Sequence, residues 1–150
     1  SRELSAGGLL PNGVFSMSVI SKCQSPIESS LVSYLQKTIA NEDAHNLTLD
    51  CQFRVGKYKI DIIILDSNYG PVIAIECDGH EFHSRTKEQA ARDRRRDREI
   101  LDEHEIVTVR FTGSEIFNDP EGCSSYCVGM AKNISYQRFL IEMGMNAVMA

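Results

Sequence analysis

Two short runs in the middle of the chain are apolar at nearly every position, and both carry carboxylates. Residues 58–66 read YKIDIIILD and residues 71–80 read PVIAIECDGH. Rich in Ile and Val, both predict strands buried on both faces. Asp61 interrupts the first; Glu76 and Asp78 interrupt the end of the second. Ser67-Asn68-Tyr69-Gly70 between them is a turn by composition. Taken as the whole hairpin loop, it pairs Asp66 with Pro71 and Lys59 with Asp78. Asp61 then stands directly opposite Glu76, with Cβ atoms roughly 4.5–5.5 Å apart. Asp78 shares the face of Glu76. Two carboxylates that close in a low-dielectric setting cannot both stay ionised without compensation. A shared proton or a divalent cation supplies it, and oxygen donors of this kind suit Mg2+ or Mn2+ rather than zinc.

At 150 residues the chain is long enough for one domain with a proper core. Its 42% hydrophobic and 25% charged content is that of a soluble globular protein. No apolar run approaches the ~18 residues of a membrane span. The first residues lack the basic-then-apolar pattern of a secretory leader. Five scattered cysteines, odd in number, read as reduced thiols of a cytoplasmic protein rather than a disulfide framework. Net charge is −5, but Arg85, Lys87, Arg92, Arg94, Arg95, Arg96 and Arg98 crowd into one stretch. Local clustering, not the chain total, sets the field that a phosphate backbone meets.

Residues 1–20 carry Gly, Pro and Asn without a period and read as a flexible lead-in. Because the chain begins on Ser, it reads as processed or excised, with Met17 a candidate natural start. Residues 21–134 read as the domain proper and 135–150 as a C-terminal tail or helix. Ser25-Pro26-Ile27-Glu28 is a helix start, with Ser as cap, Pro at the first position and Glu three after the cap. That helix runs to about Ala40. A strand follows at Leu47–Val55, then the two strands above. Thr86–His104 is a charged helix with Ala90, Asp93, Asp97 and Leu101 on its inward stripe. IVTVRF (106–111) is a further buried strand, Gly113 opens a short helix, and Asp119-Pro120 caps a helix to about Lys132. The order predicts an α/β fold with a mixed β-sheet of about four strands flanked by helices, the charged helix serving as the crossover.

Asp61, then Glu76-x-Asp78, at one end of two adjacent buried strands resembles the PD-(D/E)XK nuclease superfamily and its restriction-endonuclease-like fold. The finer text IECDGHEFH, a basic helix with Gln89, Asp93 and Arg96, then IVTVRF is similar to the small endonuclease-domain family related to very-short-patch-repair endonucleases. The likeness covers about Cys23 to Met130. It implies hydrolysis of phosphodiester bonds by a metal-dependent endonuclease, with DNA the favoured substrate and RNA the alternative. Asp61 and Glu76 would hold Mg2+ or Mn2+, with the Cys77 carbonyl as a further ligand, and Asp78 would be another ligand or a base. Glu28 matches the helix Glu that completes the metal shell. His83 matches a general acid–base or phosphate contact. Arg85, Lys87, Arg92, Arg95 and Arg96 would meet nucleic acid. The superfamily's Lys two residues after the Glu is Asp78 here, so another group does its work or none does.

Each of these residues has an ordinary reading too. Glu28 is the Glu of a capping box; Asp78 is an ion-pair partner of Lys59; the arginines form a solvated helix face. Asp93 and Asp97 would meet Arg110 or Arg96 as structure. His45 and His104 read as structural or exposed. Two other functions stay open: a nucleic-acid-binding module of the same fold without turnover, and an interaction domain of a larger assembly. No specificity domain is evident, so target choice is expected to come from a protein partner or from mismatch and shape. The sequence leaves oligomeric state and the number of metal ions open.

Overall fold

The computed structural model describes residues 17–79 and 86–144. The sheet forms where the apolar runs are. Strands β1 (Leu47–Val55), β2 (Tyr58–Asp66) and β3 (Gly70–Asp78) make an antiparallel meander. β4 (Val107–Thr112) then joins β3 in parallel, giving the order β1-β2-β3-β4. A parallel neighbour needs a crossover, and helix α3 (Lys87–His104) provides it. Before the sheet come α1 (Met17–Ser21) and α2 (Pro26–Asn41); after it come α4 (Gly113–Asn118) and α5 (Pro120–Glu142). This is the predicted mixed four-stranded α/β sheet flanked by helices.

The sheet separates two cores. On one side Leu31, Val32 and Leu35 of α2 and Cys127, Val128 and Ala131 of α5 pack on Ile62, Ile64, Ile73 and Ile75. On the other Ile100 of α3 packs on Ile60, Ile63 and Ala74. Burying both faces explains why β2 and β3 read as continuous apolar runs. Gly56 opens the two-residue turn between β1 and β2 at φ +56, a backbone shape that favours glycine.

Three details differ from the sequence reading. The β2–β3 register keeps Ile62, Ile63 and Ile64 opposite Ile75, Ala74 and Ile73, as the four-residue loop required. A bulge then shifts it, so Asp66 faces Gly70 and Leu65 faces Pro71. The cause is the Asp66 side chain, which accepts from the backbone N–H of Asn68 at 2.7 Å and of Tyr69 at 3.1 Å and tightens the turn.

The last helix is continuous to Glu142 rather than ending near Lys132. Ser135 is buried on the same stripe as Ala131, and Arg138 donates to the carbonyls of Glu105 and Pro71 at 2.7 and 3.2 Å. Finally, Ile100 is the buried apolar residue of α3, while Leu101 is 47% exposed. The inward stripe therefore runs through Arg96, Asp97 and Ile100.

Candidate active site

Asp61 lies at a discontinuity in the sheet. In the β1–β2 ladder Cys51 faces Ile62 and Phe53 faces Ile60, and the pair between them, Gln52 and Asp61, drops out. The β2–β3 ladder begins only at Ile62–Ile75. Released from both neighbours, the Asp61 carboxylate accepts the backbone N–H of Cys77 at 2.9 Å. It also hydrogen-bonds Glu76. Glu76 is 6% exposed. Burial first, then its bond to Asp61, pushes its pKa up to about 9 against the pull of Arg96 and Arg110. Near neutral pH Glu76 therefore keeps its proton.

Glu28 reaches the same place from the first turn of α2. Ser25 caps that helix and accepts from the Glu28 N–H, but the Glu28 side chain does not return the bond to Ser25. Its Oε2 accepts instead from the backbone N–H of Gln24 at 3.0 Å and from Gln52 Nε2 at 3.1 Å. Burial, with Asp61 adding to it, raises the Glu28 pKa. The capping-box account of this residue therefore fails. Glu28, Asp61 and Glu76 form a line of interacting carboxylates with Asp61 at its centre.

Asp78 meets arginine, not Lys59. Arg110 on β4 donates Nη1 to Asp78 Oδ1 at 3.2 Å, and grips Asp97 of α3 through Nε and Nη2, both at 2.8 Å. Arg96 also points inward. Its Nη2 donates to Glu76 Oε1 and, at 2.8 Å, to the Lys59 carbonyl. Its guanidinium lies 5.2 Å from the centre of the Tyr58 ring. The Tyr58 hydroxyl is held by Glu99. Lys87, Arg92, Arg94, Arg95 and Arg98 are exposed along α3. Gln89 is the third residue of the Thr86 capping box that starts the helix, so it serves the helix rather than the site. His80, His83 and Arg85 lie outside the described residues.

The sequence reading missed Gln52. The two-residue Gly56-Lys57 turn fixes Val55 opposite Tyr58 and, counting back, Gln52 opposite Asp61, so the signal was present.

The chemistry of the donor set fits a hard divalent cation. Mg2+ is commonly held by one or two carboxylates plus water and phosphate oxygens, which Asp61 and Glu76 can supply. Among the described residues no three His, Cys, Asp or Glu side chains close around one point on their own.

A four-stranded mixed sheet with buried carboxylates at a strand break, flanked by helices, defines a restriction-endonuclease-like domain. The family model REase_MTES_1575 matches residues 35–128, more than half the chain, and the protein belongs to that restriction-endonuclease-like family. Neither a curated protein nor a solved structure matches the chain. The matched span contains Asp61, Glu76, Asp78, Arg96 and Arg110, whereas Glu28 lies before it. Membership makes this a nuclease-type domain. No helix among the described residues is long and apolar enough to cross a membrane.

Proposed function

We propose that this domain is a metal-dependent endonuclease that hydrolyses phosphodiester bonds in DNA. The observation that carries the reading is the buried Asp61–Glu76 pair, whose upper member is driven to about 9 by burial and by its neighbour. A protein interior keeps such a pair at a cost, and perturbed carboxylates in a nuclease-type fold point to function. Asp61 and Glu76 would hold Mg2+ or Mn2+, and Glu28 would add a third carboxylate. The bound ion would supply Lewis acidity and lower the pKa of a bound water. Gln52 fixes the direction of Glu28. The exposed arginines of α3 would draw the phosphate backbone toward the site. Acid–base help from His83, the finer kinship to PD-(D/E)XK and very-short-patch-repair enzymes, a cytoplasmic setting and a target-choosing protein partner belong to the same proposal.

The test is cleavage of supercoiled plasmid, single-stranded DNA and RNA with Mg2+ or Mn2+, comparing wild type with Glu76→Ala. Metal-dependent cutting of DNA that disappears in the variant supports the reading. Salt-sensitive DNA binding without cutting would favour a binding module instead. One observation favours that second reading: a cation of the protein itself, Arg96, already lies on Glu76 Oε1.

A further inference from the structure

Arg96 is the odd member of the basic run. Its neighbours Arg94, Arg95 and Arg98 face solvent, while its side chain is 23% exposed and turns onto Glu76. Three features suit it to exchange partners. Its Nη2 serves two acceptors at once, Glu76 Oε1 and the Lys59 carbonyl. Its Nε is buried and has no hydrogen-bond partner among the described residues, an expensive state for a charged donor. The Tyr58 ring lies beneath the guanidinium and needs no particular donor direction to keep it in place. The helix itself is pinned within the turn that follows Arg96, by Asp97 on Arg110 and by Ile100 in the core. Any change must therefore occur in the side chain.

We propose that Arg96 is an exchangeable cation of this site. Its guanidinium occupies Glu76 Oε1 while no divalent cation is bound. When one takes Glu76 Oε1, the freed Nε–Nη2 edge turns to two oxygens of a phosphate. That edge is the fork by which Arg110 already grips Asp97, and it matches phosphate geometry equally well. The Lys59 carbonyl and Tyr58 ring keep the guanidinium beside the carboxylates throughout. The inference rests on the metal-nuclease reading above.

Calorimetric titration of Mn2+ into the full chain tests it, with wild type, Arg96→Gln and Arg96→Lys compared after thermal melts establish that each is folded. Arg96→Gln is expected to bind Mn2+ on the order of tenfold more tightly, since removing about 1.4 kcal/mol of competition is one decade. Arg96→Lys should stay near wild type. With Mn2+ present, a short single-stranded oligonucleotide should bind more weakly to Arg96→Gln than to wild type. Equal or weaker Mn2+ binding by folded Arg96→Gln overturns the proposal and leaves the nuclease reading standing. If neither protein binds Mn2+, the metal reading falls and the proposal with it. Should Arg96→Gln not fold, the Arg96 Nε–H resonance of wild type, assigned by its loss in Arg96→Lys, is followed during Mg2+ addition. A shift supports the exchange, and a stationary resonance refutes it.

Discussion

Gln52 stands opposite Asp61, and at this pair the hydrogen-bond ladder of the first two strands lapses. Gln52 has φ +51, the left-handed region, in the middle of a strand. The break also turns β2 about its own axis. Ile60 and Ile62, two residues apart, would share a face in a regular strand. Here Ile60 belongs to the core under α3 and Ile62 to the core under α2 and α5. Asp61 sits at the turning point, where its carboxylate reaches Cys77 N and Glu76.

A side chain in the left-handed region costs roughly 1–2 kcal/mol, so what Gln52 gains must lie in its amide bond to Glu28. Gln52→Gly keeps the backbone shape without strain but loses the amide. Its stability is expected to stay within about 1 kcal/mol of wild type while DNA cleavage drops, because Glu28 is no longer aimed. Gln52→Ala loses the amide and keeps the strain, and should be less stable than Gln52→Gly by about 1 kcal/mol. Urea melts and plasmid cleavage on both variants separate backbone from side chain. Full activity in Gln52→Gly would remove the side chain from the site's chemistry.

Glu76 gives stability a pH dependence of definite sign. Its folded pKa of about 9 lies above the ordinary glutamate value of 4.5, so between those values the folded state binds more protons than the unfolded one. Stability must then fall as pH rises through that window. Glu76→Gln removes the titrating group, and its melting temperature should decline less between pH 5 and 9. The same proton must leave when a cation binds. Mg2+ affinity is therefore expected to increase with pH, and calorimetry in buffers of different ionisation enthalpy should detect proton release. A wild-type melting temperature that declines no more steeply than that of Glu76→Gln would contradict the assignment.

Most of this site could be read from the chain because it lies on regular elements. The apolar runs located β2 and β3, and the register set by a four-residue loop put Asp61 against Glu76. Two turns then worked in opposite ways. Gly56-Lys57 obeys the pairing rules, so Gln52 could have been found. Asp66 tightens the other turn through its own side chain and shifts the register by a residue, which apolar patterning does not encode. The partners of Asp78 and Glu76 were out of reach for another reason. Arg110 and Arg96 arrive from a parallel strand and its crossover helix, and a periodicity argument gives directions within an element, not distances between elements. The Glu28 signal was ambiguous at the level of sequence, because a capping Glu and a site Glu occupy the same position of a helix.

The outward arginines make a separate, graded prediction. Arg92 and Arg95 are exposed on α3, so exchanging each for Gln should leave the melting temperature nearly unchanged. For every phosphate that an arginine no longer neutralises, the slope of log affinity against log salt should flatten by about 0.7–0.9. Fluorescence anisotropy with a labelled oligonucleotide across a salt series measures that slope. An unaltered slope in the double variant would take these two residues off the nucleic-acid path.

Arg110 should prove far more costly to remove than any arginine of the outward face. It is 21% exposed and binds two carboxylates: Asp97 by the side-on fork and Asp78, 9% exposed, by the remaining amino group. Burial opposes its charge, yet Asp97 and Asp78 together hold its pKa above the ordinary value. Arg110→Met keeps much of the side-chain volume but leaves both carboxylates without this cation. Breaking a buried pair from one side costs about 3–5 kcal/mol. The lower end is expected here, because Asp97 keeps about a quarter of its side chain, 26%, in water. Arg110→Met/Asp78→Asn should recover part of that loss, since it removes the charge of the more deeply buried carboxylate. A double-mutant cycle by urea denaturation measures the coupling directly. If the double variant is as unstable as the sum of the singles, Arg110 supports the sheet mainly by packing, and Asp78 is not stabilised by the partner that the geometry gives it.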